Sequence, residues 1–91
     1  MKPILYDLLG PSIFLLILDM FLDNPNQWMN LREISRRVKK NPGSISPVIP
    51  KLVERGLLEA CKIGKVSVAY KLNLASNSVQ ALITLRNSLR S

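Results

Sequence analysis

With 91 residues, the chain holds one domain with a single core and leaves no room for a separate catalytic lobe. It is 47% apolar and free of Gly/Ser tracts and repeats, which excludes a disordered or linker-like chain. A net charge of +7, no histidine and a single cysteine exclude a disulfide framework and the usual zinc sites, and point to a polyanionic partner in a reducing cytoplasm.

The apolar run over residues 4–22 is broken by Asp7, Gly10-Pro11 and Asp19, so it reads as helix rather than as a membrane span or signal peptide. Residues 3–9 form a short extra helix or an ordered arm, and 10–22 form the first helix proper, with Pro11 in its first turn. From Ile13 to Leu22 this helix has almost no polar face, so a second surface must cover it. Asp23-Asn24-Pro25-Asn26 is a loop by composition. Trp28-Met29 follows as a short edge strand, with Trp28 a core or edge anchor.

Residues 30–56 read as two helices around a tight turn. Asn30 caps the first, Glu33 reaches back to the cap, and Met29 packs on Ile34 as a hydrophobic staple. Leu31, Ile34 and Val38 form the buried stripe, leaving Arg32, Arg36, Arg37 and Lys39 outward, and the helix stops near Lys40 ahead of Asn41-Pro42-Gly43. The second helix is capped by Ser44 or Ser46, buries Ile45, Val48, Ile49, Leu52 and Val53, and stops at Gly56. Pro47 suits its first turn, but Pro50 lacks the N–H that would bond the Ser46 carbonyl, so the spacing predicts a short or bent helix.

Residues 57–72 alternate as two strands joined by Gly64-Lys65, a two-residue turn whose leading glycine supplies a positive φ. That register sets Ile63 opposite Val66 and Cys61 opposite Val68, with Cys61 a buried thiol and Tyr70 in the core. A last helix spans 76–90, where Asn77 and Gln80 echo a capping box and Val79, Leu82, Ile83 and Leu89 make an apolar stripe in need of a partner.

Charge is unevenly spread along these elements. Between Asn30 and Lys71 lie ten of the thirteen basic residues against three acids, so this segment carries the whole net charge. Outside it, Lys2, Arg86 and Arg90 balance Asp7, Asp19 and Asp23. The six acids are scattered, no glycine loop suited to phosphate is present, and no catalytic residues, metal ligands or cofactor contacts are assigned. The expectation is a protein that is not an enzyme. A basic helix can also be no more than a solvated face, so the fold around it decides what the charge means.

The element order is helix, helix, turn, helix, hairpin, helix: a mainly α chain with a small β-hairpin, α+β in class. In that order, Leu31-x-x-Ile34, Ser44-x-Ser46, Leu52-x-x-x-Gly56-Leu57-Leu58 and Tyr70-x-Leu72 resemble the winged helix-turn-helix core of MarR- and ArsR-type transcription regulators over residues 11–73. The resemblance implies that residues 44–55 are a recognition helix for the major groove and that the hairpin is a wing lying on the backbone or minor groove. It makes Arg32, Arg36, Arg37, Lys39, Lys40, Lys62 and Lys65 candidates for phosphate contact, and Ser44, Ser46, Pro47 and Lys51 candidates for base edges. The chain departs from the family pattern in exposing Pro47 and Pro50 where arginine or glutamine is frequent, and in Asn73 after the Tyr-x-Leu.

The implied function is double-stranded DNA binding as a homodimer, in a transcriptional regulator with no membrane role. Phe14, Ile17, Phe21, Val79, Leu82, Ile83 and Leu89 would supply the dimer interface. Two alternatives stand beside it: a winged-helix protein-interaction module that does not bind DNA, and a non-specific architectural DNA-binding protein.

Overall fold

The computed structural model describes residues 4–10 and 12–90; the predicted use of Pro11 in a first turn, and the charge on Lys2, lie outside them. The run from Ile4 forms two helices, α1 (Ile4–Leu9) and α2 (Ile13–Asp23), separated at Gly10, whose φ of 105° is open to glycine and strained for other residues. Ser12 caps α2, accepting from the Leu15 N–H. The cover that α2 requires comes partly from α1, which buries Leu5 completely in the common core.

A two-residue strand, β1 (Met29–Asn30), leads directly into α3 (Leu31–Val38). Asn30 Oδ1 accepts the Glu33 N–H at 2.9 Å, as predicted for the cap. The Glu33 carboxylate, however, does not reach back; it turns along the helix to Arg36 and Arg37. At the far end Lys39 sits in the left-handed region, φ 58°, and Ser35 holds the turn by donating from Oγ to the Lys40 carbonyl.

The second predicted helix is broken into α4 (Pro42–Ile45) and α5 (Ile49–Glu54). Its cap is Asn41 rather than Ser44 or Ser46: Asn41 Oδ1 accepts the Ser44 N–H at 3.0 Å, with Pro42 in the first turn, where a missing N–H costs nothing. The break falls at 46–48, and Pro47, expected in a first turn, lies within it. Neither Pro47 nor Pro50 has an N–H, so the bonds to Gly43 and Ser46 that would continue the helix cannot form. Gly56, φ 73°, ends α5 in a Schellman motif, with Gly56 N–H donating to Val53 and Leu57 N–H to Leu52.

Strands β2 (Leu58–Ile63) and β3 (Ser67–Leu72) complete an antiparallel sheet of order β1-β3-β2. Their register differs by one residue from the predicted one: Ile63 pairs with Ser67 and Cys61 with Ala69, and the loop is Gly64-Lys65-Val66. Every residue from Glu59 to Ser67 is exposed, so no buried face pins the pairing at the tip and the hydrophobic alternation loses its authority there. Cys61 is consequently an exposed thiol, not a core one. Trp28 is likewise 46% exposed at the sheet edge, where the Lys71 ammonium lies 5.6 Å from its ring centroid.

Helix α6 (Asn77–Arg90) returns over α2. Ser76, one residue before the predicted cap, accepts the Val79 N–H, and the Gln80 side chain donates to the Leu74 carbonyl. Asn73, the departure after Tyr-x-Leu, ties the end of the hairpin to the end of α5. Its amide donates to the Gly56 carbonyl at 2.9 Å while its side-chain oxygen accepts from the Ala75 N–H. The core between these layers is built from Ile17, Phe21, Ile34, Ile45, Leu52, Leu72 and Val79 with their neighbours.

Candidate nucleic-acid interface

Arg32, Lys39 and Lys40 are exposed along one helix and its terminal turn, and Lys51, Lys62 and Lys65 are exposed on α5 and the hairpin. Lys39 and Lys40 are held in place by backbone bonds: both N–H groups donate to the Ser35 carbonyl, so their side chains leave a fixed turn. Arg36 and Arg37 differ from the sequence expectation. Glu33 takes both, at 2.5 and 2.7 Å, so part of the predicted phosphate-binding charge is neutralised inside α3. The hydrogen bond from Arg37, followed by the charges of the two guanidiniums, holds the Glu33 carboxyl below its usual range.

Among the predicted base-reading residues, Ser46, Pro47 and Lys51 are exposed, while Ser44 is half-buried and donates its hydroxyl to Asn41. The break between α4 and α5 puts Ser46 and Pro47 in a turn, so they do not share one continuous helix with Lys51.

A cleft of about 520 Å³ joins the two halves of this surface. It is lined on one side by Asn30, Leu31, Arg32 and Pro42 and on the other by Val66, Ser67 and Val68. The start of α3, the start of α4 and the hairpin therefore face one space. Sequence reasoning did not single out Val66, whose side chain is almost wholly exposed at the hairpin tip, because its place in an alternating strand suggested a paired position.

The predicted dimer residues divide into two groups. Ile17, Phe21 and Val79 are 0% exposed within one protomer, where they hold α2 and α6 to the core, so they have no surface to offer a partner. Phe14, Leu82 and Ile83 are half-buried and Leu89 is exposed. Phe14 and Leu82 line an apolar cleft of about 490 Å³ between α2 and α6, with Leu15, Leu18 and Leu85 beside them and Arg55 stacked 5.4 Å from the Phe14 ring centroid.

The arrangement superposes on a "possible transcriptional regulator" from Methanosarcina mazei Go1 with a TM-score of 0.68 at 20% identity, over 90% of this chain and 71% of that one. It also superposes on reduced HlyU from Vibrio cholerae N16961 with a TM-score of 0.63 at 24% identity, covering 81% of this chain and 75% of HlyU. A second HlyU structure gives 0.62 at 25% identity, over 79% and 75% of the two chains. The fold is a winged helix-turn-helix. No family model and no curated protein matches the sequence.

Along the chain, α3, the pair α4-α5 and the hairpin β2-β3 follow the helix, helix, hairpin order of that fold. Both α4 and α5 are shorter than the single helix that the sequence led us to expect. No helix among the described residues is long and apolar enough to cross a membrane. Nor do the described residues hold a cluster of three or more histidine, cysteine or acidic side chains able to hold a metal ion.

Proposed function

We propose that this protein is a transcriptional regulator rather than an enzyme, and that it binds duplex DNA as a homodimer with α4-α5 toward the major groove and the wing on the adjacent backbone or minor groove. The observation that carries this reading is the cleft shared by Arg32, Pro42 and residues 66–68, around which the start of α3, the start of α4 and the hairpin face one space. Exposed lysines follow α3 at positions 39 and 40 and lie on the hairpin at 62 and 65, with Lys51 exposed on α5. Phosphate contacts from such side chains fix orientation without reading sequence.

Dimerisation rests on the apolar cleft between α2 and α6, which exposed Leu85 lines, with Leu89 exposed one turn further along α6. A second copy placed there would give two recognition elements related by a two-fold axis and a roughly palindromic site. The broken recognition element favours a second reading, general DNA binding. With Pro47 and Pro50 exposed, it offers few bidentate base contacts.

Fluorescence anisotropy with a labelled random duplex across a salt series tests the DNA reading. Affinity should fall steeply with salt, and the Lys39→Ala/Lys40→Ala double variant should lower the logarithmic slope by roughly 1–2. Absence of binding at low salt contradicts it. Light scattering that finds only monomer at micromolar concentration contradicts the dimer. Competition between random and selected duplexes separates a regulator from a general binder.

A further inference from the structure

We propose that the wing enters the minor groove with an apolar wedge made by Val66 and Ile63, with Lys62 and Lys65 acting as the flanking phosphate clamps. This rests on the DNA-binding reading above and adds the contact that the wing makes. Val66 is 94% exposed and Ile63 56% exposed, at the tip of a hairpin whose residues from Glu59 to Ser67 are all open to solvent. Two bare β-branched side chains at the far end of a projecting hairpin lose favourable burial and gain nothing within the protomer.

Their neighbours narrow the choice of partner. Lys62 precedes Ile63 and Lys65 precedes Val66, so each apolar side chain is paired in sequence with a cation. Among the described residues no ion pair of either lysine is present. An apolar protein groove would meet two unpaired ammonium groups there, whereas a nucleic-acid groove offers phosphates at its walls and sugar and base surfaces at its floor. Position agrees with this: Val66 lines the cleft opposite Arg32 and Pro42, so the tip projects on the side of the helix-turn-helix. A phosphate strand lying in that cleft places the groove next to it under the tip. The lysines supply attraction that salt screens, and the valine and isoleucine supply contact that salt does not.

The test compares the wild-type protein with Ile63→Ser/Val66→Ser and with Lys62→Ala/Lys65→Ala on a labelled AT-rich duplex. Thermal melting checks the fold, which these exposed side chains do not support. The serine pair should lose about tenfold in affinity at every salt concentration with an unchanged slope, because apolar contact is removed and charge is kept. The alanine pair should flatten the slope. A minor-groove-binding drug should weaken the wild type and leave the serine pair nearly unaffected. Wild-type binding that the serine pair matches, or that the drug does not alter, overturns the wedge alone. A wild type that binds no duplex overturns both the wedge and the reading beneath it.

Discussion

Arg86, near the end of α6, donates to Asp23 at the end of α2 over 2.6 Å, and the same guanidinium lies 3.4 Å from the carboxylate of Asp19. Arg90 adds a second bond to Asp23 at 2.9 Å. Asp19 is completely buried and also accepts the N–H groups of Leu5 and Tyr6, so one carboxylate caps α1 while its ion pair holds α6. Asp19, Asp23, Arg86 and Arg90, four of the charges outside the basic segment, thus form a lock between α1, α2 and α6.

Removing one member of a buried pair strands the other charge. Arg86→Ala should therefore cost about 3–5 kcal/mol, whereas Arg90→Ala, at a more exposed pair, should cost less than about 1 kcal/mol. Denaturant melts of the two variants make the comparison. Equal effects would mean that the lock carries no special weight.

Glu33 pairs with two arginines, of which Arg36 is exposed and Arg37 half-buried. Glu33→Gln should tighten binding to a random duplex at low salt and steepen the salt slope by roughly 1–2. The carboxyl is held below its ordinary range, so its support of α3 is fully present above that range and is lost as pH falls through the lowered value. A carboxylate NMR titration should show this, and Arg37→Ala should bring the midpoint back up.

Pro47 and Pro50 divide the recognition element. Replacing both with alanine restores the two missing N–H donors, so far-UV circular dichroism should gain helix equivalent to roughly one turn. An unchanged spectrum would place the cause of the break elsewhere.

Gly56 closes α5 at φ 73°, with its own N–H and that of Leu57 both engaged. Gly56→Ala should destabilise by about 1 kcal/mol, although a Cβ there would meet no neighbour within 4 Å. The penalty is conformational rather than steric crowding by other residues, and thermal melting measures it.

Much of the fold was legible because local signals agreed with one another. Asn30 before the Leu31-Ile34-Val38 stripe, Gly56 after Leu52 and the clean separation of hairpin from helices each fixed an element. The caps at Asn41 and Ser76 were missed by assigning them to the nearest serine or asparagine inside the helix, although Asn41-Pro42 carries the combination of cap and first-turn proline. The hairpin register slipped because alternation specifies a strand only where one face is buried. Long-range pairings such as Arg86 with Asp19 leave no periodic trace. The same is true of the Glu33 contacts that occupy Arg36 and Arg37, and of the burial that takes Ile17, Phe21 and Val79 out of any interface.

If the helix-turn-helix and the wing form one DNA-binding face, both must respond together when a duplex arrives. An amide and side-chain NMR titration with a short duplex tests this most directly. Shifts should gather at Arg32, Lys39, Lys40, residues 44–51 and the wing tip around Val66, and leave α6 nearly still. Shifts confined to α2 and α6, or none at all, would contradict it.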